Sequence, residues 1–248
     1  MDDGNRRSKV RRLYDACDAG TGLPTLAQIR WLQDILDGME AADVGIGADA
    51  GGGEGERSSS SSSSDDEASP TAAARRLLST RGFTRITYVH IHECEDFSMG
   101  VFCFPAGATL PLHDHPRMVV LSKLLYGSMR QFLRLGHRAA LRHKEGRFSQ
   151  GCCRGRPAGG AVQGVGAVPR SGGNIHTLTA VTPCALLDVH APPYAEDLGR
   201  SSTYFSDMPV PALPGYAVLE EAELPEDFRV VGAPYVGPEL LVDVDWYD

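Results

Sequence analysis

The sequence predicts a mainly β protein, an antiparallel barrel or sandwich preceded by short helices. From Phe83 onward, short apolar runs rich in β-branched and aromatic residues are separated by turns; they lie at 85–91, 97–104, 118–126, 174–179 and 184–190. Two segments before residue 40 have helical periodicity instead. A histidine pair between two prolines lies just before the third apolar run. Together these observations favour a β-barrel that carries a metal site.

The N-terminal segment, residues 1–44, is expected to form two short amphipathic helices that pack on the barrel. Apolar residues recur at helical spacing on each side of a break at 20–24, namely Val10, Leu13, Tyr14 and Cys17, then Ile29, Leu32, Ile35 and Leu36. The first helix also carries a basic cluster of Arg6, Arg7, Lys9, Arg11 and Arg12. This cluster has two interpretations, a solvated helix face or a nuclear-import signal.

Residues 45–74 form a Gly- and Ser-rich stretch that is expected to be a disordered linker. It contains Gly51 to Gly53, a serine run from Ser58 to Ser64 and an acidic cluster, and it has too little apolar surface to offset chain entropy. Residues 75–248 are then the β domain. Within it, the Gly- and Arg-rich segment 136–173 is expected to be a long mobile loop.

Composition excludes several classes of function. The 248 residues carry 24 Lys and Arg against 32 Asp and Glu, a formal charge of -8, which argues against direct binding to nucleic acid. No apolar run has the length of a membrane span, and the N-terminus lacks the apolar stretch of a secretory signal. The six cysteines show neither a CxxC pair nor a disulfide framework. We therefore expect an intracellular protein with free thiols.

The His113-Asp114-His115 motif is the main functional signal. In an extended strand the side chains at i and i+2 leave the same face, so His113 and His115 can converge on one ion while Asp114 points away. An HxH motif alone also occurs among surface histidines. Here Pro111 and Pro116 constrain the backbone, and an apolar run follows, beside which unpaired imidazoles are costly to bury.

A third histidine, His176, follows Gly172-Gly173-Asn174 and completes the set. Three neutral imidazoles leave a divalent ion with its full charge and with open coordination positions. Such an ion favours an anionic substrate ligand, for example a thiolate.

Several sequence blocks closely resemble the plant cysteine oxidases, thiol dioxygenases related to cysteamine dioxygenase. The blocks are SKVRRLYDAC at 8–17, FSMGVFCFP at 97–105, PLHDHP at 111–116, LSKLLYGSM at 121–129, GGNIH at 172–176 and TPCALLDVHAPPY at 182–194. The resemblance implies a cupin double-stranded β-helix, a jelly-roll barrel, with one non-haem Fe(II) held by His113, His115 and His176. It also implies oxidation of N-terminal cysteine to the sulfinic acid with O₂ as co-substrate.

The same resemblance implies a role in oxygen sensing. In the plant family the usual substrates are ethylene-response transcription factors, whose oxidised N-termini enter the N-degron pathway in the hypoxia response. We accordingly expect a monomer located in the cytoplasm and nucleus, with proteins that begin with cysteine as its partners.

Asp188 and Tyr194 match family positions close to the iron, so the resemblance implies roles for both in catalysis. A carboxylate there can accept a hydrogen bond from a ligand histidine or the substrate amine, and a phenol can steer oxygen. The alternative is a structural Asp at a strand end and a packed Tyr. Cys184 is expected to be a packed apolar residue, and Arg117 and His190 depart from the family pattern.

Two alternatives to a protein cysteine dioxygenase remain at this stage. One is a dioxygenase of small thiols such as cysteine or cysteamine, in which Arg117 is a candidate to hold a carboxylate. The other is a non-catalytic cupin that binds a metal or a small ligand.

Overall fold

The helices precede the β domain and end at defined caps. The computed structural model describes residues 8–20, 23–47, 85–137, 141–142, 152–157, 165–167, 174–212 and 216–240. Helix α1 spans Lys9–Asp18 and is capped by the Ser8 hydroxyl, while α2 spans Leu26–Asp37 and starts with a Thr25–Gln28 capping box. A 3₁₀ helix at Ala41–Val44 follows and ends at Gly45, whose φ of 75° suits glycine.

The described part of the β domain contains thirteen strands joined by turns and loops. They are β1 (Ile86–Glu93), β2 (Ser98–Phe104), β3 (Thr109–His113), β4 (Val119–Tyr126), β5 (Met129–His137), β6 (Leu141–Arg142), β7 (Cys152–Pro157), β8 (Val165–Ala167), β9 (Ile175–Ala180), β10 (Cys184–Ala191), β11 (Phe205–Pro209), β12 (Tyr216–Glu221) and β13 (Val230–Ala233).

The strands form two mixed but mostly antiparallel sheets. One has the order β13-β1-β2-β10-β4-β8, and the other β11-β12-β7-β5-β9-β3 with β6 beside β12. Most strands that pair in space, such as β2 with β10 and β3 with β9, are far apart in sequence, as in a jelly roll, where pairs of strands wind together into a barrel. The predicted mainly β cupin fold with short N-terminal helices is confirmed.

The helices share one hydrophobic core with the outer face of the first sheet. Val10 and Leu13 of α1 are fully buried in a cluster that also contains Phe97, Met99 and Val101. The Tyr14 ring contacts Phe97 edge-on, with centroids 5.7 Å apart. Burial of this apolar surface, rather than the intrinsic stability of short helices, holds the N-terminal segment in place.

The segment between β5 and β9 corrects one sequence prediction. Residues 136–173 were expected to form a loop, but β5 extends to His137 and β7 pairs with it in antiparallel register from Cys152 to Pro157. Strand β8 pairs with β4. Sequence periodicity missed these strands because Gly- and Arg-rich segments lack the apolar alternation that marks a half-buried strand.

Parts of other predictions lie outside the described residues. Of the predicted linker, only 45–47 is described, and Ile46 is fully buried in the core. Arg6 and Arg7 of the basic cluster also lie outside, whereas Lys9 pairs with Asp43 at 3.0 Å and Arg11 with Asp15 at 2.7 Å. Within the described chain, no helix is both long enough and apolar enough to cross a membrane.

Candidate active site

The three predicted metal ligands meet inside the barrel. His113 ends β3 and lies opposite His176 of β9 in the antiparallel register, and His115 follows two residues later. Their possible ligand atoms all lie within 4.8 Å of one another, and all three residues are buried. Nε2 of His115 is 3.3 Å from Nε2 of His176. Two nitrogens bound to one ion at about 2.1 Å and at right angles lie about 3 Å apart, so this pair fits a shared metal.

His113 is held by the backbone of its own strand. Its Nδ1 lies 2.7 Å from the carbonyl oxygen of Pro111. A carbonyl only accepts, so Nδ1 carries the proton and donates, leaving Nε2 free as a ligand. Burial lowers the pKa of His113, which favours the neutral imidazole that metal binding requires.

His115 is held by a tyrosine from the loop after β10. Its Nδ1 is 2.5 Å from the Tyr194 hydroxyl, which is 3.2 Å from the carbonyl of Asp114. The backbone N–H of His115 donates to the side-chain oxygen of Asn174 at 3.1 Å. Burial strongly lowers the pKa of His115, and the neighbouring His176 is the second largest cause of the decrease.

His176 is supported from β5. The Gln131 amide reaches its Nδ1 at 3.5 Å, and both side chains are buried. In the next position, Thr177 donates its hydroxyl hydrogen to the carbonyl of Leu110 at 2.8 Å. This contact ties β9 to β3, the two strands that carry His176 and His113.

Asp114 points away from the cluster, as the strand periodicity predicts. Its carboxylate accepts a hydrogen bond from the backbone N–H of Thr203 at 2.8 Å, and its own N–H donates to the Thr203 carbonyl at 3.1 Å. Asp114 therefore anchors the HxH turn to the segment before β11, and only imidazoles of this motif face the cluster.

The histidines open into a cavity of about 410 Å³ between the two sheets. Its walls are largely apolar, and among the described residues the charged side chains that line it are two carboxylates, Asp188 and Glu93. No described lysine or arginine contributes to the lining. The cavity thus combines the histidine cluster, an apolar wall and two carboxyl groups.

Asp188 lies on β10 with its side chain buried in this cavity. It pairs in register with Ser122 of β4 and with Gly100 of β2. Its Oδ1 has no hydrogen-bond partner among the described residues. Burial raises the pKa of Asp188 to about 7, opposed by a hydrogen bond from Ser122. A carboxyl placed in this way is ready to accept a donor from a ligand.

Tyr88 and His190 complete the inner wall near Asp188. Burial, together with the smaller effect of the nearby Asp188 charge, raises the pKa of Tyr88 to about 12. The Tyr88 ring lies over Gly100, where a Cβ would overlap it. The His190 ring lies 5.8 Å from that of His115 and 5.4 Å from that of Tyr194, and burial lowers the pKa of His190 to about 4.

Comparison with known proteins shows the family to which the chain belongs. A family profile described as PCO_ADO matches residues 35–240. The chain belongs to the PCO_ADO family. Plant cysteine oxidase 1 of Arabidopsis thaliana is 34% identical over 93% of this chain and 80% of its own length. The mouse 2-aminoethanethiol dioxygenase is 32% identical over 65% of this chain and 73% of its own.

Membership of the PCO_ADO family confirms the predicted class of enzyme, a thiol dioxygenase. Among solved structures, an RmlC-like cupin from Desulfovibrio desulfuricans is similar at 24% sequence identity. The match covers 44% of this chain and 84% of that one, with a TM-score of 0.30.

The structure also gives the positions of the other residues that the sequence of this PCO_ADO protein singles out. The structure brings Asp188 and Tyr194 into the same cavity as the three histidines. Cys184 is fully buried, as expected. Arg117, the candidate carboxylate holder, does not line the cavity, because its guanidinium donates to the carbonyls of Leu198 and Gly199 at 2.5 and 3.1 Å.

Sequence reasoning missed Tyr88, Ser122 and Gln131. Tyr88 and Ser122 lie in predicted strands, two positions from the buried Ile86 and Val120, so strand alternation could have placed them on the inner face. Gln131 had no such signal, because its strand β5 is not among the apolar runs that the sequence predicts.

Proposed function

We propose that this enzyme oxidises the N-terminal cysteine of proteins to cysteine sulfinic acid with O₂, and that His113, His115 and His176 hold Fe(II). The observation that carries the proposal is the three-histidine cluster facing a cavity lined by carboxylates and by no described cation. Imidazole ligands suit iron as well as other first-row metals. The choice of iron follows the family resemblance.

The charge of the cavity favours a thiol that carries an amine and lacks a free carboxylate. The buried Oδ1 of Asp188 has no described partner, and an ammonium group would satisfy it. Free cysteine would bring its own carboxylate into this wall, where no described lysine or arginine can pair with it, and burying such an unpaired charge is costly. A cysteine at a peptide N-terminus has its carboxyl group masked as an amide.

The reaction needs no further reductant. Both atoms of O₂ become bonded to the sulfur, which is oxidised while oxygen is reduced, and the thiol hydrogen ends on the sulfinic acid. Bound iron would supply the site where thiolate and O₂ meet. The protein's part is to keep the imidazoles neutral, to orient the amine at Asp188 and to exclude water from the apolar wall.

Competition between thiols tests the substrate class. Iron-loaded protein is given equal concentrations of a Cys-initiated peptide and free cysteine, and the products are measured by mass spectrometry. We expect the peptide to gain two oxygen atoms well before the amino acid does. Preference for free cysteine would overturn the proposal, and a Ser-initiated peptide is the control for non-specific oxidation.

Cysteamine is a second candidate substrate. It carries a thiol and an amine and no carboxylate, so the cavity charge favours it equally, and one relative is named 2-aminoethanethiol dioxygenase. The ratio of kcat/KM for the peptide and for cysteamine decides between the two. Metal binding without oxygen uptake in the presence of either thiol would instead indicate a non-catalytic cupin.

We extend the proposal to oxygen sensing through the N-degron pathway, with ethylene-response transcription factors as partners, in the cytoplasm and nucleus. The support is the sequence resemblance to plant cysteine oxidases. A reporter that begins with cysteine should be degraded in air and stabilised at low oxygen only when this enzyme is present. Oxygen-independent stability of that reporter would contradict the role, and a fluorescent fusion would show the compartment.

A further inference from the structure

His190 is a buried imidazole with no hydrogen-bond partner among the residues that the structure describes. It lies on β10 with 6% of its surface exposed, and it lines the same cavity as the histidine cluster. Within the described chain, its ring makes contacts with the rings of His115 and Tyr194 and no hydrogen bond. Buried polar groups usually have a hydrogen-bond partner, and for His190 a ligand in the cavity that it lines can supply one.

Three polar groups on the same wall are already engaged in hydrogen bonds. The Tyr194 hydroxyl is bonded to His115 and to the main chain of Asp114. The Ser202 hydroxyl donates to that same carbonyl at 3.2 Å. Ser122 bonds Asp188. Ser98, the register partner of His190 on β2, also lines the cavity but has no described hydrogen bond to the imidazole. Within the described residues, His190 is therefore available to bond a ligand in the cavity.

The position of His190 relative to Asp188 indicates which part of a ligand it meets. The two residues are two positions apart on one strand, so their side chains leave the same face about 6.6 Å apart. In the proposed function, the thiol of an N-terminal cysteine goes to the histidine cluster and its amine to Asp188. The remaining polar group of that residue is its main-chain carbonyl.

We propose that His190 determines specificity for peptides by donating a hydrogen bond to the main-chain carbonyl of the substrate's N-terminal cysteine. The assignment rests on the proposed function. A neutral imidazole has one N–H donor, and a carbonyl oxygen is an acceptor only. Cysteamine has no carbonyl and gains nothing from this contact. His190 is thus a positioning residue that separates peptides from small aminothiols.

The test compares His190→Leu and His190→Gln with wild type on a Cys-initiated peptide and on cysteamine. We expect His190→Leu to raise KM for the peptide about 3- to 10-fold, the loss typical of one neutral hydrogen bond, with kcat little changed. Its KM for cysteamine should stay within about twofold. His190→Gln keeps an N–H donor and should restore most of the peptide affinity.

A binding measurement separates this role from catalysis. Anaerobic calorimetry of the iron-loaded protein with the peptide should show the same rise in Kd for His190→Leu without any turnover. His90→Leu is the matched control, since His90 is exposed on β1 and does not line the cavity. Melting temperature and iron content are measured on the same preparations.

The outcomes distinguish the two proposals. An unchanged peptide KM and Kd in His190→Leu, or equal losses with both substrates, would overturn the role of His190 and leave the proposed function standing. Failure of the wild-type protein to oxidise the peptide would overturn the proposed function, and with it this inference. A loss that His190→Gln does not recover would also contradict hydrogen-bond donation.

Discussion

The Tyr194 hydroxyl links the His115 ring to the main chain of the preceding residue. It lies 2.5 Å from Nδ1 of His115 and 3.2 Å from the carbonyl of Asp114. Because that carbonyl only accepts, the hydroxyl donates to it and accepts from the imidazole N–H. The tautomer and orientation of His115 are thus set with Nε2 toward the cluster. This is the outer-shell arrangement that commonly supports metal-binding histidines.

We predict that Tyr194→Phe weakens iron binding. The substitution keeps the ring but leaves Nδ1 of His115 without its acceptor, and losses of this kind typically cost about 10- to 100-fold in metal affinity or activity. Anaerobic iron titration measures the change. Tyr204→Phe is the matched control, because Tyr204 lines the cavity and has no described hydrogen bond to a histidine nitrogen. Equal iron affinity in Tyr194→Phe and wild type would contradict the prediction.

Single replacement of His113, His115 or His176 with Ala should greatly reduce iron retention, because each removes one of three ligands. The fold should largely survive, since the core clusters lie elsewhere. Metal analysis and circular dichroism of each purified variant are the measurements, with His90→Ala as the control. Full iron occupancy in one variant would remove that residue from the ligand set.

Asp188→Asn should reduce turnover far more than iron retention. The amide keeps the shape of the side chain but cannot pair with an ammonium group, so oxidation of a Cys-initiated peptide should slow about 10- to 100-fold. Iron content and peptide oxidation are measured on one preparation. Turnover at the wild-type rate in this variant would end the assignment of Asp188 to catalysis.

The same variant should become more stable relative to the wild type as pH rises. Burial raises the pKa of Asp188 to about 7, whereas an unfolded Asp has a pKa near 3.9. Between these values the folded state binds more protons than the unfolded state, so the wild-type free energy of unfolding falls with rising pH. Asp188→Asn lacks this loss, which is roughly 4 kcal/mol at most. Its advantage should therefore grow from pH 4 to pH 7 and then level off.

Urea unfolding of both proteins across this pH range is the measurement. It is made on metal-free protein, because a nearby cation would favour the charged carboxylate. A lower stability of Asp188→Asn at pH 8 would indicate instead that Asp188 has a structural role.

Gly100→Ala should destabilise the protein and displace Tyr88. A Cβ at residue 100 would overlap the Tyr88 ring and hydroxyl, and overpacking of this kind typically costs about 1–3 kcal/mol. In a double-mutant cycle, Gly100→Ala should cost less in a Tyr88→Ala background, because the clash is absent. Strictly additive costs would show that the Tyr88 ring is not the source of the strain.

Elements whose residues interact locally in the sequence were predicted well, and elements that depend on pairing with distant strands were not. The helices and the strands β1, β2, β4, β9 and β10 were predicted within a few residues, since their apolar periodicity is local. Strand β3 was not predicted as a separate run, because Pro111 interrupts its apolar pattern. Strands β7 and β8 were expected to be loop, since pairing with β5 and β4, and no local preference, makes them strands.

By itself the sequence determined the mainly β class, the HxH pair and the two helices, because these depend on residues a few positions apart. Only the tertiary structure decided what surrounds the cluster. The β3–β9 register places His113 opposite His176, the loop after β10 brings Tyr194 to His115, and β10 carries Asp188 and His190 into the same cavity. Barrel closure joins strands distant in the chain, so this charge and hydrogen-bond environment has no local sequence signature.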